Sequence, residues 1–168
     1  YHPARNPWDR TRVPGGSSSG TAVAVAAGLA PMGIGSDTGG SVRIPSAFCG
    51  VTGLKPTYGR ISLHATGLLS WTLDSIGPMG RDVRDCALVL DALAAPDARD
   101  PATWSQPLER FAREPQSVRG LRVALPDASQ LPAFMDAAVV AAWQAAARVL
   151  ESLGAQVIPV RLPSWYFE

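Results

Sequence analysis

Polarity along the chain predicts a punctuated opening followed by short apolar elements. Residues 1–20 carry Pro3, Pro7, Pro14, Gly15 and Gly16 without an apolar period, which predicts irregular backbone. The run TAVAVAAGL, Thr21 to Leu29, is small and apolar with no polar face. It predicts a short helix buried on all sides, with Ser19 as its N-cap. Met32 to Gly35 predicts a brief buried strand, SDTGGS a turn, and Val42 to Phe48 a helix that Pro45 limits to about one turn. Helix, strand, glycine turn and helix start in that order favour an α/β layer arrangement.

Residues 50–80 mix Gly, Pro and Thr with short apolar runs and predict strands and loops. Asp82 to Ala94 predicts a helix with Val83, Ala87, Leu88 and Leu90 as its apolar stripe. Pro96, Pro101, Pro107 and Pro115 break any period across residues 95–119, which read as loop. Leu121 to Leu125 predicts a strand. Asp136 to Leu153 predicts a long helix with Val139, Val140, Trp143, Ala147, Leu150 and Leu153 on one side and Gly154 as its stop. Gln156 to Val160 predicts a second strand, and strand–helix–strand implies a right-handed parallel crossover.

Composition narrows the function classes. The 168 residues suffice for one domain with a sizeable core. Net charge is +1 and no basic run interleaves with aromatics, which argues against nucleic acid and membrane surfaces as partners. No apolar stretch is long enough to span a bilayer. Cys49 and Cys86 read as two reduced, partly buried thiols rather than a disulfide framework. His2 and His64 have no paired ligand spacing, so no metal site is expected. Lys55 is the single lysine among fifteen Lys and Arg residues. The chain opens at Tyr1 without a leader and closes after a strand-like run, which reads as an internal segment of a longer protein.

Two serine–glycine clusters carry the candidate chemistry: GGSSSG at 15–20 and GSDTGGSVR at 35–43. A TGGS turn between a strand and a helix aims successive backbone N–H groups at one point, and its glycines let a carbonyl approach the backbone. Such a nest suits a developing oxyanion, and Ser41 at its end could be the attacking hydroxyl. Each cluster alone would also fit a flexible turn. Three other motifs fit poorly. Gly16 to Gly20 matches G-x-S-x-G, but RTRVP precedes it and His64 follows too soon for a nucleophile elbow. Thr21 stands where a phosphate loop needs lysine, and Thr38 breaks the dinucleotide pattern at its third glycine.

The stretches NPWDRTRVPGGSSSGTAVAVAAGLAP, GIGSDTGGSVRIPSAFCGVTGLKPTYGR and SWTLDSIGPMGRDVRDCALVLDAL occur in an order and at separations that resemble the amidase-signature hydrolases. The tail from Leu121 also resembles that family's next strand–helix–strand unit. The resemblance implies a Ser–Ser–Lys triad, with Ser41 as nucleophile and Ser17 as a bridging serine held by a cis peptide. It implies an oxyanion hole from the N–H groups of Thr38, Gly39, Gly40 and Ser41, with Asp37 and Arg43 bracing the turn and Ser18 and Ser36 as supporting hydroxyls. The family's lysine lies upstream of Tyr1, and Lys55 falls in GLKPT, a structural motif of the family.

The expected fold is α/β, a mixed central sheet covered by helices. The chain is read as a single partial domain, 1–168, with core serine motifs at 13–60 and a strand–helix–strand unit at 121–162. The expected activity is cleavage of a carboxamide C–N bond, other than a peptide bond, through an acyl-enzyme without cofactor or metal. The substrate is a small-molecule amide, and the setting is cytoplasmic. Partners are a second copy of the chain or the other components of an amidotransferase. Two alternatives stay open: the glutaminase subunit of a tRNA-dependent amidotransferase, and a non-catalytic remnant.

Overall fold

The computed structural model describes residues 3–104, 110–113 and 117–163. They form two compact units, divided between Arg113 and Glu114.

The first unit holds three helices and a three-stranded sheet. Helix α1 spans Ser19–Ala26. Strand β1, Met32–Asp37, follows and leads through the glycine turn into α2, Arg43–Cys49. Strand β2, Thr52–Gly53, and β3, Ser75–Gly80, complete the sheet, and α3 covers Val83–Leu93. The strand order is β1-β3-β2 with antiparallel pairing. Met32 faces Gly80 and Asp37 faces Ser75, so the glycine turn starts where the ladder ends. Ala22, Val42, Cys49 and Met79 are fully buried and join α1, α2 and β3 in one core. Near the end of this unit a 3-10 turn covers Pro101–Thr103 within the stretch that reads as loop.

Helix α1 differs from its expected form. It starts two residues earlier than Thr21 and stops at Ala26, because Gly28 takes a left-handed φ of 72° and turns the chain. Leu29, expected inside the helix, is exposed. Ser19 is a helical residue, not the N-cap, and Ser18 in the N-cap position makes no side-chain cap. Within the helix only Ala22 and Val25 are buried, so the buried face is narrower than the small-residue run suggests.

What holds α1 to the strand is a set of short polar contacts across glycines. Gly33 and Gly35 lie on the same face of β1, two residues apart. A Cβ on Gly33 would meet the Thr21 methyl at 2.6 Å, and one on Gly35 would meet the Ser18 Cβ at 2.7 Å. In that space Thr21 Oγ1 donates to the Ile34 carbonyl at 3.0 Å, and Ser18 Oγ donates to the Ser36 carbonyl at 3.3 Å.

Pro45 does not curtail α2, which runs seven residues. It lies in the first turn, where a missing N–H leaves no helical bond unmade. The opening segment caps the other end of this helix. Asn6 Nδ2 donates to the Phe48 carbonyl and Trp8 Nε1 to the Cys49 carbonyl, both at 2.7 Å, which satisfies two of the last carbonyls.

Helix α3 starts at Asp82 as expected, and the Asp82 carboxylate accepts from the N–H groups of Arg84 and Asp85. Of its expected stripe Leu90 is buried, and the rest is corrected. Val83 and Leu88 are exposed, and the buried residues are Asp85, Cys86 and Leu90. The Asp85 carboxylate is satisfied there by accepting from the N–H and the Nε of Arg81, at 3.0 and 3.1 Å.

The second unit contains β4 (Arg122–Pro126), α4 (Ala137–Ser152) and β5 (Gln156–Val160). The two strands pair in parallel, Arg122 opposite Gln156. Asp136 caps α4 by accepting from Ala138 N–H, and Gly154 takes a φ of 94° after its end. Ala147 is the buried residue of α4, while Val139 and Leu153, expected on the inner side, are exposed. No helix among the described residues is long and apolar enough to cross a membrane.

Gly77 sits mid-strand against the Leu54 carbonyl, a rigid backbone atom. Gly77→Ala is therefore expected to lower the unfolding free energy by about 1–3 kcal/mol. Gly67→Ala, where an added Cβ meets no other described residue within 4 Å, is the control and should change it by less than about 0.5 kcal/mol. Urea melts of both variants check this, and equal stability would contradict the packing described here.

Candidate active site

The turn Thr38–Val42 is shaped by one carboxylate. Asp37 ends β1 and is fully buried. Its Oδ1 accepts from Gly40 N–H at 2.8 Å, and its Oδ2 accepts from the N–H groups of Val42 and Arg43 at 3.1 and 3.3 Å. The Arg43 guanidinium closes the set, with Nε to Oδ2 at 3.0 Å and Nη2 to Oδ1 at 2.9 Å. The two oxygens thus accept five bonds from a turn and a helix start, two of them from the guanidinium fork.

Burial pushes the Asp37 carboxyl up. The Arg43 bonds and the three backbone N–H groups more than offset this and hold it well below the usual carboxylate range. The carboxylate is therefore ionised wherever the protein is folded at neutral pH. It also balances the N-terminus of α2, where negative charge is favoured.

Gly40 takes a φ of 133°, which only glycine adopts readily, and its carbonyl accepts from the Ile44 N–H at 2.7 Å. An added Cβ there would also press on Ile44, with Cδ1 at 2.7 Å. Gly39 differs, because a Cβ would meet no other described residue within 4 Å, its chain neighbours aside. With the Gly40 N–H engaged by Asp37, the N–H groups left in the turn are those of Thr38, Gly39 and Ser41. Among the described residues none accepts from these three.

The second serine cluster lies against the first. The Ser18 N–H donates to the Ser41 carbonyl at 3.1 Å, while Ser18 Oγ reaches Ser36. The Gly16–Ser17 peptide bond is cis. Ser17, Ser18, Ser36, Asp37, Thr38, Gly39, Gly40, Ser41 and Arg43 thus lie at one end of β1, where Asp37 is buried and the Arg43 side chain is half exposed. Gly35 belongs with them, since it makes room for Ser18. The alternation of Gly33 and Gly35 along the strand is the sequence signal for a close helix approach.

Other nucleophiles and bases are held by partners of their own, are exposed, or have raised pKa values. Burial raises the pKa of both Cys49 and Cys86, so neither supplies a thiolate. His64 is exposed in the loop after Ile61. Lys55 Nζ donates to the Pro56 carbonyl at 2.9 Å and to Ser75 Oγ at 3.3 Å. No group of three or more His, Cys, Asp or Glu among the described residues is placed to hold a metal ion.

Removing the Asp37 charge should disturb both turn and fold. Asp37→Asn leaves the Arg43 fork and at least one buried N–H without a good acceptor, and is expected to cost at least about 2 kcal/mol at neutral pH. The folded pKa is lowered, so the stabilisation is complete above the ordinary value of 3.8 and is lost as pH falls below it. Urea stability of the wild type should therefore fall more steeply than that of Asp37→Asn between about pH 5 and pH 2. Parallel curves would contradict the bracing role.

Comparison with known proteins bears on what these turns are. The family model described as Amidase matches residues 1–167. A glutamyl-tRNA(Gln) amidotransferase subunit of Chromohalobacter salexigens is 48% identical over 164 residues, covering 97% of this chain and 34% of that protein. The crystal structure of the Thermotoga maritima glutamyl-tRNA(Gln) amidotransferase subunit matches with a TM-score of 0.89 and 40% identity, over 97% of this chain and 36% of its own. Native peptide amidase from Stenotrophomonas maltophilia matches with a TM-score of 0.79 and 38% identity, over 95% and 33%. The chain spans about a third of the length of the curated relatives it matches. Its glycine turn, serine cluster and α/β scaffold lie within the matched stretch, and the chain belongs to the amidase family.

Proposed function

We propose that this chain supplies the nucleophile and oxyanion site of an enzyme that cleaves carboxamide C–N bonds outside the peptide backbone. The observation that carries the proposal is the 3.1 Å bond from Ser18 N–H to the Ser41 carbonyl, which brings the two serine turns together. In the reaction, Ser41 Oγ attacks the amide carbon. Its proton passes to Ser17, whose own proton passes to a basic lysine of the family outside these residues. The oxyanion is assigned to the N–H groups of Thr38, Gly39 and Ser41, with Gly40 held back by Asp37 as the brace. Such donors contribute about 3 kcal/mol each when preorganised. The tetrahedral intermediate expels the amine, which takes its proton back through Ser17. Water then cleaves the acyl ester and regenerates Ser41.

Lys55 is not assigned the base role, because its Nζ is engaged by Pro56 and Ser75. A second reading has its own support. Curated relatives at 45–49% identity are named as glutamyl-tRNA(Gln) amidotransferase subunits. In that case the acyl donor is a glutamine amide, and ammonia passes to an acceptor held with partner proteins.

An amide and ester panel on the full-length protein, with glutamine tested alone and beside amidotransferase partners, separates these readings. Ser41→Ala and Ser17→Ala should each lower kcat/KM by at least about a thousandfold. Gly39→Ala should fold normally, since its added Cβ meets no described residue within 4 Å, yet lose at least about tenfold if the carbonyl docks against this turn as proposed. His64→Ala should stay within about threefold. Turnover that survives Ser41→Ala would overturn the assignment, and no Ser41-dependent turnover on any substrate would make the chain a non-catalytic remnant.

A further inference from the structure

Asp37 grips only one half of the oxyanion turn, since its five bonds reach Gly40, Val42 and Arg43. The other half begins at Thr38, and its side chain is held from elsewhere. Thr38 Oγ1 donates to Asp74 Oδ1. We propose that Asp74 is a positioning residue for the oxyanion turn, acting through the Thr38 hydroxyl. The proposal rests on the reading of this turn as an oxyanion site.

Register explains why these two residues meet. Asp37 and Ser75 are the last facing pair of β1 and β3, so Thr38 and Asp74 are the next positions beyond the ladder. There the side chains continue the connection that the backbone has left. Asp74 is itself fixed. It is 5% exposed, its Oδ2 accepts from the N–H groups of Leu69 and Ser70 at 2.7 and 3.1 Å, and its own N–H donates to the Ser70 carbonyl at 3.2 Å. The Thr38 hydroxyl and the Leu69 N–H hold its carboxyl below the ordinary carboxylate range, so it stays an acceptor.

Threonine suits the connection. Its branched Cβ leaves few χ1 states, so fixing Oγ1 also fixes the direction of the Thr38 backbone. The Thr38 N–H is the first donor of the nest, and a donor misaimed by a fraction of an ångström loses much of its effect on the transition state. The hydroxyl, engaged by Asp74, is not a substrate ligand. Its removal should therefore slow the chemical step and leave binding nearly unchanged.

The test uses the full-length protein and four variants: Thr38→Ser, Thr38→Val, Asp74→Asn and the double variant Thr38→Val/Asp74→Asn. Thr38→Val should lower kcat by at least about tenfold with KM within about threefold, and Thr38→Ser, which keeps the hydroxyl but not the branched Cβ, should recover at least about threefold of the kcat that Thr38→Val loses. The double variant should be no more than about threefold slower than its slower parent, because both changes break one connection. If Asp74→Asn does not fold, the contrast between Thr38→Val and Thr38→Ser decides alone. Wild-type kcat in Thr38→Val, a loss in Tm without a loss in kcat, or losses that multiply in the double variant would overturn the proposal. Ser41→Ala, run in parallel, keeps the two claims apart. Activity that survives it removes the oxyanion reading itself, whereas Ser41-dependent activity indifferent to Thr38→Val removes only the role of Asp74.

Discussion

The buried Asp37 carboxylate is the constraint on which the site depends. A fully buried charge is tolerable only when donors surround it, and here every donor comes from the turn and helix that follow it. Satisfying that charge therefore dictates the path of Thr38–Arg43. The turn must bring the Gly40, Val42 and Arg43 N–H groups back onto one residue, and this requires the φ of 133° at Gly40. What remains on the outer side of the turn is a short run of N–H groups next to Ser41. Electrostatic need inside the protein thus creates hydrogen-bonding capacity at its surface.

The same end of β1 receives the second serine turn through absence of side chains. Gly33 and Gly35 let Thr21 and Ser18 approach the strand closely enough to bond its carbonyls. Those contacts place Ser18 within reach of the Ser41 carbonyl. Since β1 is held by β3 and α1 is held by β1, displacement of either serine turn would break polar contacts across the same strand. The opening segment contributes from the far side, where Asn6 and Trp8 close the end of the helix that carries Arg43.

Much of this is legible in the sequence because it is local. Strand, glycine turn and helix start follow one another within residues 32–49, and turn chemistry announces them. Asp82 and Asp136 mark helix starts in both sequence and structure, and Gln156 to Val160 has the bounds that its pattern predicts. Where pattern and structure part, the cause is also local. Gly28 stops α1 inside a run that is apolar throughout, so backbone conformation outweighs composition there. Hydrophobicity alone places only Leu90 of the α3 stripe correctly, because Asp85 and Cys86 share the buried face with it and the Asp85 carboxylate is satisfied there by Arg81. Asp74 is out of reach for a different reason. Its partner Thr38 lies 36 residues away, and only the β1–β3 register brings them together. No periodicity within one segment encodes such a pair.

The central claim is that Ser41, at the end of the braced turn, is the residue that becomes acylated. The most direct measurement treats the full-length protein with a fluorophosphonate that reports on activated serines, digests it and maps the adduct by mass spectrometry. The account predicts a single adduct on the peptide containing Ser41, absent when substrate amide is present in excess. An adduct on Ser17 or Ser18 instead would contradict it.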